Sequence, residues 1–418
     1  MNKITHNWAE HIAFGAAMVY APQSVAELAD IVRRSTGLRT VGSRHSFNDI
    51  ADTTGDLVTL RALPRRVEID AAARSVTVDG GITYAELSPV LEAAGWALSN
   101  LASIPDFTVV GAVSTATHGS GDRHRNLAAA VSALELVTAA GDVLRLRRGD
   151  PEFDGAVVGL GALGVVTALT LDLVPRFDIG QYVFHGLPFD RVVENFDAVM
   201  GSAYSVSLFT HWTGDVVDQA WLKCRVEDQQ PTEPFFGARA APGESSPVMG
   251  KDPLGTTGQL GVPGPWYDRL PHARIGAIPP IGGEYQAEYF VARADAPAAM
   301  RALKSVETAL HPALIVSEIR TIAADTFWLS TNSGADSVGF HFSLQRDWET
   351  VRLALGAIEG ALAPFAPRPH WGKLFTLAPE VVQSRHPRLG EFRALATRLD
   401  PEGKFRNAFL RRMVFTEG

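Results

Sequence analysis

Residues 38–47 read LRTVGSRHSF: a short apolar run, Leu38 to Val41, meets a turn of Gly42, Ser43 and Arg44, and then a histidine, His45. A turn of small residues after a strand-like run offers free backbone amides, whose partial positive charge suits a phosphate. An imidazole in such a loop needs a reason. A second segment has the same character. In VVGAVSTATHGSG, residues 109–121, Gly111, Ser114, Thr115, Thr117, Gly119, Ser120 and Gly121 are all small. Two separated anion-cradling loops suit a long, two-ended ligand such as a dinucleotide. Composition alone leaves ordinary Gly/Ser turns equally open.

Outward from these loops, the first 175 or so residues alternate helix and strand signals. Ser24 to Glu27 and Thr83 to Glu86 have the spacing of capping boxes, opening VAELADIVRR and LSPVLEAAG, because hydroxyl and carboxylate can satisfy each other's orphan amides. RRVEID and SVTVDG alternate like strands, ALELVTAAGDVLRLRR reads as a hairpin bending at Gly141-Asp142, and GVVTALTLDLVP as a long strand closed by Pro175. Hairpins are too frequent for a purely parallel sheet, so the class is α+β. From about residue 180 a second unit carries the strand-like runs YSVSLF, QAWLKCRV, EYQAEYFVA, ALIVSEIRTI and VGFHFSL, with a helix over APAAMRALKSVETAL. Residues 231–283, rich in Pro and Gly, read as a long loop over a site.

A chain of 418 residues is long enough for two domains. Apolar residues at 46% and charged residues at 20% belong to a globular protein, and a net charge of −8 without a basic stripe argues against nucleic acid. MNKITHNWAEHIAF lacks the apolar core of a signal peptide, and no apolar run reaches the roughly 18 residues of a membrane span, so a cytoplasmic address is expected. The single cysteine, Cys224, excludes an intramolecular disulfide framework. Gly159 to Gly164, GLGALG, spells a dinucleotide fingerprint, but that motif must open a helix and be followed about 20 residues on by an acid. Here VVTALTLDLV follows, a strand by its β-branched content, and Asp172 and Asp178 come too early. It reads as a glycine-rich turn beside a sheet. His118 and His124 lack metal-site spacing, so no metal is expected.

Strand periodicity adds a second feature. Glu318 and Arg320 leave one face of ALIVSEIRTI, and His341 and Ser343 leave one face of VGFHFSL, with Phe340, Phe342 and Leu344 opposite. In a shared sheet one face is apolar core, and the other is either a polar site wall or a solvated surface. Lys373, alone in HWGKLF among aromatic and apolar neighbours, favours the site, because a lysine there must be paired or lose charge.

VGSRHSFNDIA, NLASIPDFTVVGAVSTATHGSG, PHWGKLF and LDPEGKFRNAF (399–409) together resemble the vanillyl-alcohol-oxidase flavoproteins, and among them the alditol oxidases, over nearly the whole chain. The resemblance implies FAD bound by residues 1–178, a substrate domain over 179–418, and return of about 369–418 to the flavin. It implies that His45 bonds covalently to the 8-methyl carbon of FAD, with the amides of Thr40 to Ser46 facing the pyrophosphate. The FAD contacts it implies are Thr40, Val41, Gly42, Ser43, Arg44, His45, Ser46, Ser103, Thr108, Gly111, Thr115, Ala116, Thr117, His118, Val166 and His370. Pro369 and Trp371 are expected near the ring. Arg44 departs from the glycine common in the family. Polyol contacts carried over are Ser103, Glu318, Arg320, Ser343 (commonly threonine) and Lys373, with His341 near the reacting carbon.

The chemistry implied is oxidation of a terminal primary alcohol of xylitol, sorbitol or a similar polyol, with oxygen as acceptor and peroxide as product. Arg320 and Lys373 suit developing alkoxide charge, Glu318 holds hydroxyls and balances Arg320, and His341 is a candidate base. Small Ala102 beside Ser103 leaves room for oxygen. A monomer is expected. Rival readings are an aldonolactone-oxidising sibling of the same fold, a nicotinamide-dependent dehydrogenase using GLGALG, and a non-catalytic sugar-binding module.

Overall fold

Residues 4–277 and 282–415 are described in a computed structural model. Residues 278–281 of the expected long loop, and the first three and last three residues of the chain, lie outside the described residues.

The N-terminal unit holds two sheets of three or more strands, besides the short pairing of Trp96–Ala97 with Val174–Pro175. Met18–Tyr20 and Leu38–Thr40 flank Asp56–Val58 in a small parallel sheet. The other sheet is antiparallel throughout, in the order Val67–Asp70, Ser75–Asp79, Val165–Asp172, Val131–Val137, Val143–Arg147. The expected hairpin bends over Thr138 to Asp142, where Gly141 takes a left-handed φ of 80°. Val25–Arg34 and Tyr84–Ala93 form the two expected helices. The second opens on a complete capping box: Glu86 N–H donates to Thr83 Oγ1 (3.1 Å) and Thr83 N–H to Glu86 Oε2 (2.8 Å). The first is half a box, since Glu27 reaches the amide of Gln23 (2.7 Å) instead of that of Ser24.

The second unit is built on a nine-stranded antiparallel sheet. Its centre runs Asp178–Pro188, Val216–Arg225, Ser205–Thr210, Leu314–Ile322, Ser337–Leu344, Tyr285–Ala292. The 11-residue strand Asp178–Pro188 was not expected from the sequence. Helices Ala296–Ser305 and Trp348–Leu362 bury Met300, Leu303, Leu355 and Ile358 against Tyr289, Ile319, Phe340 and Phe342 on one face. Each such side chain removed from water contributes about 1.5–3 kcal/mol, enough to fix which face turns outward. The expected helix over 296–310 breaks at Val306, and Glu307–Leu310 continues separately. Strands such as Ser337–Leu344 are buried at every position, so their second face is covered too. It is covered by the N-terminal unit across a cleft and, over Val183, Phe209, Trp221 and Val316, by the Pro/Gly-rich segment through Ala241 and Val248. The core of that unit also takes in Val382, Phe392, Phe409 and Val414 from the C-terminal segment. Among the described residues, no helix is long and apolar enough to cross a membrane.

Candidate active site

The two glycine-rich loops meet at Thr108. A Cβ on Gly42 would stand 2.2 Å from Thr108 Oγ1, and one on Gly111 2.7 Å from the same atom, so both positions need glycine for this approach. Thr108 N–H donates to Ser43 Oγ (3.3 Å). Part of the segment read as a loop is the short helix Val109–Ser114, with Thr108 at its N-cap. The GLGALG turn packs on its end, through Leu160 N–H to Ser114 O (3.2 Å), and leads into strand Val165–Asp172 as its β-branched sequel dictates. Arg39, fully buried, pins that turn by donating to Leu160 O and Gly161 O (both 2.9 Å).

The loops line one side of the cleft. Thr40 to Ser46, Ser103, Thr108, Gly111, Thr115, Thr117, His118, Val166 and His370 all border it. Ala116 does not: it is fully buried behind the loop at a left-handed φ of 56°. Nor do all amides from Thr40 to Ser46 face a ligand. Thr40 ends a strand, and Val41 N–H donates to Val58 O (2.8 Å) as the ladder carries on past it. Gly42 to Ser46 are the amides without a partner among the described residues. His45 lies between Trp8 (centroids 4.9 Å) and Phe107 (4.8 Å), and both its ring nitrogens are buried and unpartnered. Burial, helped by Arg44, pushes its pKa down to about 3, so the ring is neutral with a free lone pair. Arg44 takes the left-handed conformation that suits glycine, φ 68°, and turns its guanidinium to His6 O (3.2 Å) while its own carbonyl accepts from Trp8 N–H (2.7 Å). It anchors the N-terminal segment. Free amides, a glycine cradle and a buried lone pair fit FAD.

The opposite side is the second face of the large sheet. Register places Glu318, His341 and Glu288 in one row across three strands, with Gln286 beside Ser343. Glu288 is fully buried and binds three groups: Lys373 Nζ (2.7 Å), Arg320 Nη2 (2.8 Å) and His118 Nε2 (3.1 Å). Gly339, paired with Arg320, makes the diagonal possible, since a Cβ there would sit 3.2 Å from Glu288 Oε1 and 3.1 Å from the Phe290 ring. Burial alone would push Glu288 up, but Lys373, His118 and Arg320 outweigh it and hold the carboxyl well below its usual range. Glu318 is likewise held low by Arg320 and His272 against its burial. Arg320 Nη1 donates to Ser103 Oγ (3.0 Å), joining the sheet to the loop side.

Lys373 also donates to His341 Nδ1 (2.9 Å), which puts the proton of a neutral His341 on Nε2. Burial and Lys373 push the His341 pKa to about 3, so in this arrangement it is a weak base. Burial lowers the Lys373 pKa against the pull of Glu288. Ser343 is set back from the cleft, its Oγ 3.4 Å from His341 Nε2. His370 borders the cleft and accepts Gly372 N–H on Nδ1 (3.0 Å), leaving Nε2 as its donor. Trp371 is buried and donates to Leu329 O (2.7 Å), behind the wall. Sequence reasoning missed Glu288, His272 and Lys223. Glu288 was within reach, because Glu284, Gln286 and Glu288 alternate at strand period in EYQAEY.

Residues 16–147 match the family described as FAD binding domain, and residues 284–413 the family described as D-arabinono-1,4-lactone oxidase. The chain is 46% identical over 417 residues to the alditol oxidase of a Streptomyces species, covering 99% of this chain and 100% of that one. The chain belongs to the alditol oxidase branch of the vanillyl-alcohol-oxidase flavoproteins. At 30% identity it resembles the L-gulono-1,4-lactone dehydrogenase of Mycobacterium tuberculosis (99% of this chain, 100% of the other). At 26% it resembles the L-gulonolactone oxidase of Mus musculus (98% of each). Among solved structures, a solvent-stable cholesterol oxidase shares the fold, with a TM-score of 0.81 at 16% identity over 98% of this chain and 96% of that one. Both glycine-rich loops fall within residues 16–147, the part of the chain that matches the FAD binding domain family.

Proposed function

We propose that the protein is an FAD-dependent oxidase of alditols, converting the terminal primary alcohol of xylitol, sorbitol or a similar polyol to the aldehyde, with oxygen as acceptor and hydrogen peroxide as product. The observation that carries this reading is the Glu318–Arg320–Glu288–Lys373 network facing Ser103 across the cleft, in a chain 46% identical to an alditol oxidase. The bound flavin supplies the hydride acceptor. The residues supply orientation and charge. Ser103, Glu318 and Arg320 present donors and acceptors that a row of hydroxyls can pair with, and a shorter or deoxygenated substrate leaves them unpaired. Arg320 and Lys373 keep their positive charge close to where alkoxide character develops, and Glu288, being acceptor-only, holds both in place. His341 orients a hydroxyl through Nε2–H and serves as a base only once Lys373 shifts. Ser343 acts from behind His341.

His45 is the covalent tether in this reading, joined through a ring nitrogen to the 8-methyl carbon of FAD; a neutral, unpartnered imidazole supports it. The flavin unit comprises residues 1–178 with 369–418 returning to it, and 179–418 carries the substrate face. The oligomeric state in this reading is a monomer. An acid-precipitated pellet that stays yellow in wild type and turns colourless in His45→Ala is the expected result, followed by xylitol-dependent peroxide. Flavin that washes out of both removes the tether.

A further inference from the structure

Lys223, near the end of Val216–Arg225, is 1% exposed and takes no part in the chemistry above. A buried ammonium is costly unless its donors are used. Its three N–H groups have three acceptors: Leu270 O, Pro271 O (3.2 Å) and His272 Nδ1 (3.2 Å). All three belong to one short piece of the Pro/Gly-rich segment, so the ammonium ties that piece to the sheet. The same piece reaches the substrate side twice. The amides of His272 and Ala273 donate to Ser103 O (2.9 and 3.2 Å), and His272 Nε2 meets Glu318 Oε1 at 2.7 Å. Because Nδ1 accepts from Lys223, the neutral ring carries its proton on Nε2, where it is donated to Glu318. Phe209 and Trp221 close on the ring edge to face, both at 5.3 Å.

We propose that Lys223 and His272 form a positioning relay for substrate recognition. Lys223 fixes the place and tautomer of His272, and His272 holds the Glu318 carboxylate while the 272–273 backbone holds Ser103. The inference rests on the reading of Glu318 and Ser103 as substrate contacts. Neither relay residue touches substrate. Without them Glu318 keeps Arg320, at 3.5 Å, and must be ordered afresh each time a polyol binds. The cost therefore falls on KM, with kcat and flavin retained.

Charge adds a pH signature. A deprotonated Lys223 has two donors for three acceptors. The charged groups facing it are Glu318 and Arg320, with His272 in contact, while its register partners Gln181 and Ser205 are uncharged. Burial, opposed by Glu318 and aided by Arg320, brings its pKa down to about 7. Burial holds His272 near 4, so that ring does not titrate in the same range. The relay is intact below neutrality and loosens above it, so KM rises with pH.

The test compares Lys223→Met, His272→Leu, His272→Gln and the double variant Lys223→Met/His272→Leu in the flavin-loaded protein. Lys223→Met and His272→Leu should raise KM about 10–100-fold, the worth of a charge-assisted hydrogen bond. Flavin content and absorbance stay unchanged, and the double variant is no worse than either single. Lys223→Met also flattens the rise of KM with pH. His272→Gln, which accepts from Lys223 and donates to Glu318, stays near wild type. The ring 15N shifts of His272 report the Nε2–H tautomer, which Lys223→Met should scramble. If Lys223→Met does not fold, His272→Leu against His272→Gln carries the comparison. Unchanged KM in His272→Leu, multiplying effects in the double variant, or a His272→Gln as impaired as His272→Leu overturns the relay. All variants are assayed with whichever of a polyol and aldonolactone panel reduces the wild-type flavin. Wild type inert to polyols sinks the polyol reading, while the relay still stands or falls on the variants.

Discussion

On the loop side of the cleft, Gly42 to Ser46 keep their amides unpartnered and His45 leaves two buried nitrogens without a hydrogen bond. On the sheet side, Glu288 alone engages Lys373, Arg320 and His118, and Glu318 engages His272. The loop side presents backbone donors and a neutral imidazole, groups that suit a phosphate-bearing ligand. The sheet side is made of charged side chains that largely pair with one another, tied to the loop side through His118 and Ser103, so it is organised before any substrate arrives. A neutral polyol brings no charge to organise a site, and the protein supplies that organisation in advance.

The sharpest way to break this comparison is Glu288→Leu. Removing one member of a buried charge network strands the others, and the expected loss is about 3–5 kcal/mol in urea unfolding of the flavin-loaded protein. A loss under 1 kcal/mol would mean that the sheet side does not hold itself together. Next is Lys373→Met, expected to lower kcat/KM by about 100- to 1000-fold while acid-stable flavin is unchanged. Loss of flavin instead would merge the two sides into one unit.

A smaller effect comes from acid. His341 has a folded pKa of about 3, below its unfolded value of 6.5, so the folded state binds fewer protons between those values. Its contribution is present above pH 6.5 and is lost as pH falls through that window. Glu288 and Glu318, both depressed, add to the loss below the unfolded carboxylate value of 4.5. Each pKa unit is worth about 1.4 kcal/mol. Urea midpoints should fall from pH 6.5 downward, and His341→Gln should reduce the slope between 6.5 and 4.5 by one histidine's share, the buried His45, His124, His272 and His386 supplying the rest. An unchanged slope in that variant would remove His341 from the balance. The smallest effect belongs to the loop side. Arg44→Gly relieves a left-handed φ of 68° but gives up the bond to His6 O, and stability should move by less than about 1 kcal/mol with flavin unchanged. A large loss of flavin would make Arg44 a cofactor contact.

The two sides also differed in how far they were legible in the sequence. Glu318 with Arg320, and His341 with Ser343, stood out because a two-residue spacing fixes a strand face, and Phe340 and Phe342 marked the opposite one. Glu288 obeys the same period but is followed by Tyr289 and Phe290, which read as core. Ser343 shares a face with His341 yet stands back from the cleft, since spacing gives the face and not the depth. Lys223 and His272 lie 49 residues apart, one in a strand and one in a stretch without periodicity, and only tertiary folding joins them. Strand Asp178–Pro188 includes Gly180 and Gly186 and owes its form to pairing with Val216–Arg225. Helix Val109–Ser114 is too short, and too rich in valine and glycine, to announce itself.

The most direct test is anaerobic mixing of the flavin-loaded protein with xylitol, followed by absorbance. The expected result is loss of the oxidised flavin bands with xylitol or sorbitol, and little change with an aldonolactone at the same concentration. Bleaching by the aldonolactone and none by any polyol would contradict the assignment.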